Sequence, residues 1–241
     1  MYFSRGRITT FLVSTLLMGA SILETKADEK DLYKFLWLDP DKKVYVLQNK
    51  LYKKERTIYT QLGYLAGLSG EYQDTMGFNF KAGYYFNEEF AVEMFYNSYS
   101  NSNNDAYENL QRINQSVPFI RRINSSYGAM GVWSPFYGKI NTFNKIIYFD
   151  WNFGLGLAKI NAESNKDTVS DPNASSTFNS ESYVGGVAKT GLRVHATKKL
   201  FIGIDLQRTF YQAPGPTING ATASDKMRGT SDLILSIGYS F

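Results

Sequence analysis

Cysteine is absent from all 241 residues, histidine occurs once, and only one long apolar run is present. Without cysteine the chain has no disulfides, no thiolate metal sites and no acceptor for lipoprotein attachment. Without a second apolar run it cannot be a helical membrane protein, which needs about 20 apolar residues per crossing. Charge of either sign is scarce in net terms. The formal balance is +4, and removing Met1–Ala27 leaves +2, too near neutral to argue for nucleic acid. What the chain has instead is aromatic residues, 16% of the total, together with a mean hydropathy of −0.31. Strands that hide apolar side chains by alternation give that combination.

The single apolar run lies at the start. Arg5 and Arg7 precede the uncharged stretch Ile8–Leu23, and Ala27, with Thr25 two residues before it, supplies small residues at the position of a cleavage site. A positive region, an apolar region and a small-residue exit predict a secretory signal peptide cleaved after Ala27. The run is short for a bilayer anchor, and Ser14 and Thr15 interrupt it.

The last residues, Leu233 to Phe241, alternate apolar with small or polar side chains and stop on an aromatic residue. That is strand periodicity, and it looks like the closing strand of a bacterial outer-membrane β-barrel. Period-two stretches predict eight strands, at about Thr57–Gly67, Asp74–Phe86, Glu89–Tyr99, Asn124–Phe136, Lys145–Ile160, Glu181–Ala196, Leu200–Tyr211 and Met227–Phe241. Long connections (Leu68–Gln73, Ser100–Ile123, Asn161–Ser180, Gln212–Lys226) interleave with turns near Asn87–Glu88, Tyr137–Asn144 and Thr197–Lys199. Bacterial barrels keep short turns on the periplasmic side and longer loops outside. The expected fold is an all-β, membrane-spanning, antiparallel up-and-down barrel occupying residues 57–241.

Four strands separate their faces clearly. Met76, Phe78, Phe80, Tyr84 and Phe86 oppose Asn79 and Lys81. Phe90, Val92 and Met94 oppose Glu93. Trp151, Phe153, Leu155 and Leu157 oppose Asp150 and Asn152. Leu200, Ile202, Ile204 and Leu206 oppose Asp205 and Gln207. In the fourth strand Tyr127, Ala129, Gly131 and Trp133 compete with Met130 and Val132 for the apolar side. A soluble lipocalin-like barrel would carry the same alternation with its apolar face inward. The export signal, the terminal aromatic and the small, doubly charged polar face favour an apolar exterior. The polar face then places Lys81, Lys189 and Arg193 with Glu93, Asp150, Asp205 and Asp232 in the lumen. Near balance of sign predicts an internal charge network that fills the interior, since buried charges persist only when paired.

Residues 28–56 precede the barrel and are too few to bury a core alone. They are locally basic through Lys42, Lys43, Lys50, Lys53, Lys54 and Arg56, which suggests a periplasmic docking element. The stretch from Lys42 to Lys54, containing Val44-Tyr45-Val46-Leu47-Gln48-Asn49-Lys50, together with Leu62-Gly63-Tyr64 and Gly83-Tyr84-Tyr85-Phe86, resembles the outer-membrane β-barrel domain family of delta-proteobacterial type. The resemblance implies a small eight-stranded barrel with a periplasmic N-terminal extension. It implies no catalytic activity.

Enzyme readings have little to stand on. His195 is expected beside the Thr197–Lys199 turn at the periplasmic end, away from the outer face where lipid-modifying barrels work. Gly154-x-Gly156 lacks the third glycine and following helix of a nucleotide fingerprint. The Asp and Asn residues of Asn161–Ser180 have no EF-hand spacing. No catalytic, metal or cofactor site is therefore expected. The expected protein is a non-enzymatic outer-membrane barrel with a structural or scaffold role in the cell envelope. A narrow porin-like channel or carrier for small solutes is the next reading, and a lipid-modifying enzyme the third. Tyr84, Phe86, Trp133, Phe136 and Tyr239 are expected in interfacial girdles. Tyr239 and Phe241 are expected to be read by the barrel assembly machinery. Expected partners are outer-membrane lipid, that machinery, and a periplasmic protein meeting residues 28–56.

Overall fold

The computed structural model describes residues 51–114, 117–142, 145–167, 169, 177–218 and 221–241. The expected signal peptide and most of the N-terminal extension lie outside the described residues.

Eight long strands follow one another antiparallel: β1 (Ile58–Gly67), β2 (Gln73–Tyr85), β3 (Phe90–Asn103), β4 (Arg121–Thr142), β5 (Lys145–Ser164), β6 (Asn179–His195), β7 (Leu200–Ala213) and, after a two-residue hairpin of β8 (Thr217–Ile218) and β9 (Ala221–Thr222), β10 (Lys226–Ser240). The ring closes where β1 pairs β10, from Tyr59 opposite Ser240 to Gly67 opposite Asp232. Closure removes the unpaired edges an open sheet would expose. Both strand termini share one end with the β2–β3, β4–β5 and β6–β7 connections, called here the terminal end. The β3–β4, β5–β6 and β7–β10 connections share the other, the loop end.

The alternation read in the sequence is inverted relative to a water-soluble core. Leu62, Phe78 and Leu155 are each more than 70% exposed, whereas Lys81, Glu93, Asn97 and Gln207 are 0% exposed. The apolar face therefore points out and the polar face in. β4 follows suit. Met130 pairs with Glu93 and shares its inward face, so Tyr127 and Trp133 point outward. A bulge between Trp133 and Phe136 adds one residue to β4. Both aromatics thereby reach the outer face although three positions apart, as an extra residue re-aims the side chains beyond it.

Three expectations need correction. Tyr137–Thr142 is not a turn: β4 and β5 remain paired to Thr142 opposite Lys145. Polar residues on both faces mimic loop composition there, but the strands continue beyond the apolar belt, with Tyr137 stacked on Tyr148. The connection read as Ser100–Ile123 begins later, at Asn104, and contains α1 (Asp105–Asn114). Asn104 caps that helix through its side-chain oxygen, which accepts from Tyr107 N at 3.1 Å, and Asp105 and Glu108 sit in the first turn where the dipole favours acid. Third, the Gln212–Lys226 connection carries the β8–β9 hairpin rather than open loop.

Candidate functional site

The strands enclose a polar lumen, and its side chains tie separate walls together. In ring order β2 and β7 are separated by β1 and β10, and β3 and β6 by β4 and β5. Lys81 of β2 nevertheless meets Asp205 of β7 at 2.5 Å, and Lys189 of β6 donates to Glu93 of β3. Glu93 also accepts from the Tyr59 hydroxyl at 2.7 Å. Each of the four charges is buried, so each depends on its partner to offset lost hydration.

Among the described residues Arg193 takes no carboxylate. Its Nη1 donates to the Tyr85 hydroxyl at 2.8 Å, and its guanidinium lies 4.4 Å from the Tyr59 ring and 4.5 Å from that of Phe201. Aromatic faces attract such a cation strongly when water is excluded. Two glycines make room for those rings. A Cβ at Gly83 would stand 2.4 Å from the Tyr59 ring, and one at Gly238 2.2 Å from the Phe201 ring. Glycine opposite an inward aromatic was a legible signal for this seat.

The terminal end holds Asp150 between two bases. Lys54 Nζ lies 2.8 Å from Oδ1 and His195 Nε2 2.7 Å from Oδ2. Tyr52 stacks on the His195 ring at 4.7 Å and 8° and meets Tyr148 edge-on. His195 is thus more than a residue beside a turn: it closes β6 facing inward and joins the lumen network. Lys54, read only as part of a basic leader, is buried and supplies the fourth cation. Among the described residues of the segment before β1, it is the one anchored in the lumen by a charge.

Asp232 stands apart from the ion pairs. Its Oδ2 accepts from the Tyr99 hydroxyl at 2.9 Å, while Asn79, Asn97 and Ser126 form a hydrogen-bonded layer around that tyrosine. Of the seven lumen residues named from the sequence, Lys81 and Asp205 pair, Lys189 and Glu93 pair, and Asp150, Arg193 and Asp232 bind other groups.

Past Tyr96, Val184 and Leu233 the next outward residues are Ser98, Ser182 and Ser231, a polar level on the loop-end side. Above it lies a second cluster. Glu181 accepts from Arg121 Nε at 2.9 Å, Lys166 Nζ at 2.9 Å, the Ser164 hydroxyl at 2.9 Å and the Tyr183 hydroxyl at 2.6 Å. Burial would raise its carboxyl, but these four donors hold it well below the ordinary range, at about 2. Sequence reading missed this cluster because its members come from three strands and one loop.

Among the described residues no three acidic, histidine or cysteine side chains converge to hold a metal ion, and no helix is long and apolar enough to cross a membrane.

No family model matches the chain, and no curated protein matches it in sequence. Solved structures of similar architecture include the N-terminal β-barrel domain of Pseudomonas aeruginosa OprF, at 12% identity and a TM-score of 0.47, covering 78% of this chain and 98% of that one. Ail, the attachment invasion locus protein of Yersinia pestis, aligns at 16% identity and a TM-score of 0.42, covering 78% and 99%. Neisserial surface protein A aligns at 13% identity and a TM-score of 0.44, covering 76% and 95%. At these identities the likeness is one of fold.

Proposed function

We propose that this chain is an exported outer-membrane barrel whose task is placement: it positions its loop end and its N-terminal segment in the cell envelope and performs no chemistry. The observation that carries this reading is the pair of ion bridges across the lumen, Lys81–Asp205 and Lys189–Glu93. Charges that span the interior and satisfy one another brace the wall and occupy the space a solute path would need. The exposed apolar face supports hydrocarbon as the surrounding solvent. The export signal and the resemblance to the delta-proteobacterial-type domain support the outer membrane as its location. The loop end then faces outward, and Tyr52 and Lys54, held at the terminal end by His195 and Asp150, lie at the periplasmic mouth, where a protein partner would meet them. Tyr239 and Phe241 would present the assembly signal; Phe241 is 67% exposed, and its N–H donates to Ile58 O at 2.9 Å.

Planar-bilayer recording tests the reading. Purified protein is expected to be electrically silent, and a Lys81→Ala/Asp205→Ala variant to leak. Steady ion conductance or solute uptake by the unaltered protein would favour the channel reading instead. Deacylation of lipid A or peptide cleavage by the pure protein would replace both.

A further inference from the structure

The loop end carries an open-sided cavity of about 380 Å³, within the roughly 300–1,000 Å³ typical of small-ligand sites. Gln73, Phe119, Arg121, Tyr211 and Arg228 line it, with Glu71, which is exposed, the single carboxylate residue on its wall among the described residues. Gln73 and Arg121 also line a smaller adjoining space.

Three buried donors here have no acceptor among the described residues: Gln73 Nε2, Arg121 Nη1 and Arg228 Nε. The Gln73 residue is 8% exposed and the Arg121 side chain 4%. The remaining guanidinium contacts of Arg121 are fixed. Nε goes to Glu181, and Nη2 donates to Pro214 O at 2.9 Å. Phe119 steadies both arginines, its ring 5.2 Å from Arg121 Cζ and 5.5 Å from Arg228 Cζ. Electrostatics follow the same direction. Glu181 is shared between Arg121 and Lys166, and Arg228 has no carboxylate partner among the described residues. The cluster therefore keeps a cationic excess beside donors that lack acceptors. A buried donor left unsatisfied is costly, and guanidinium forks match oxyanions bidentately.

We infer that this cavity binds an oxyanion group, a phosphate or sulfate ester carried on a sugar-sized ligand, through Arg228, Arg121 and Gln73. The same chemistry is offered by a glycolipid headgroup and by a free soluble anion. This inference does not rest on the scaffold reading, since a channel could carry the same site.

The test is calorimetric titration of the full chain, purified in a neutral maltoside detergent, with glucose 6-phosphate and with glucose. Gln73→Glu keeps the side-chain size but turns a donor into a carboxylate, and Arg228→Gln removes a cation. Heat-modifiable gel mobility verifies that each variant is folded. Saturable binding of the phosphate ester but not of glucose is expected, weakened about ten-fold or more in each folded variant, the scale of one charge-assisted hydrogen bond. Should Gln73→Glu fail to fold, Arg228→Gln decides alone. No saturable binding, equal binding of glucose, or unchanged binding in the folded variants would overturn the inference. Competition by lipid A added to the micelles would assign the site to a headgroup, and its absence to a soluble anion.

Discussion

Lys81 and Asp205 stand on strands that share no hydrogen bonds, yet their side chains meet across the lumen at 2.5 Å. Such a contact braces the barrel from within, because it links two walls that the backbone ladder joins only through β1 and β10. Removing one member strands a buried charge. Lys81→Met and Asp205→Leu are each expected to cost about 3–5 kcal/mol, and the double variant markedly less than their sum. Urea unfolding of protein refolded into lipid vesicles measures all three.

Gly238 faces the Phe201 ring so closely that a side chain has no room. Gly238→Val is expected to block or slow folding, followed as loss of the heat-modifiable band. Phe201→Ala in the same chain should restore folding, because the space the valine needs is then free.

The terminal end depends on Lys54. Breaking its bridge to Asp150 leaves Tyr52 and His195 stacked, without the charge that draws residues 51–56 to the lumen. Lys54→Ala is expected to accelerate tryptic cleavage at Lys53 and Arg56, read by mass spectrometry. His195→Ala should do so less, since the Lys54–Asp150 bridge survives it.

Glu181 gives the loop end an acid dependence of defined sign. Its folded carboxyl titrates near 2 against an ordinary value of 4.5, so the stabilisation is full above 4.5 and disappears as pH falls through 2. Denaturation curves of the unaltered protein and Glu181→Gln are expected to differ at neutral pH and to converge near pH 2. The difference should shrink over that acid window and not near pH 7.

Much of this architecture was legible because strand periodicity is two and the belt is strongly amphipathic. Phe78 against Lys81, or Leu155 against Asp150, assigns faces without any knowledge of neighbours. The pairing of charges was not legible. Whether Lys81 meets Glu93 or Asp205 depends on the stagger of the closed ring, a property of all eight strands together. Lys54 escaped notice because it precedes the first alternating stretch, and His195 because proximity to a turn says nothing of where its ring points. The β4 ribbon beyond Phe136 was hidden by Gly138, Lys139, Asn141 and Thr142, turn-like residues through which the backbone pairing continues.

The central claim is that hydrocarbon wets the outward side chains while the lumen is sealed by its own charges. A chain without cysteine is suited to testing it, because each introduced cysteine is unique. Spin labels at 90 to 96 along β3, in protein reconstituted into lipid bilayers, report contact with lipid-dissolved oxygen position by position. The account predicts high oxygen contact at Phe90, Val92, Met94 and Tyr96 and low contact at Ala91, Glu93 and Phe95, a period of two. Uniform contact along the strand, or the opposite phase, would contradict it.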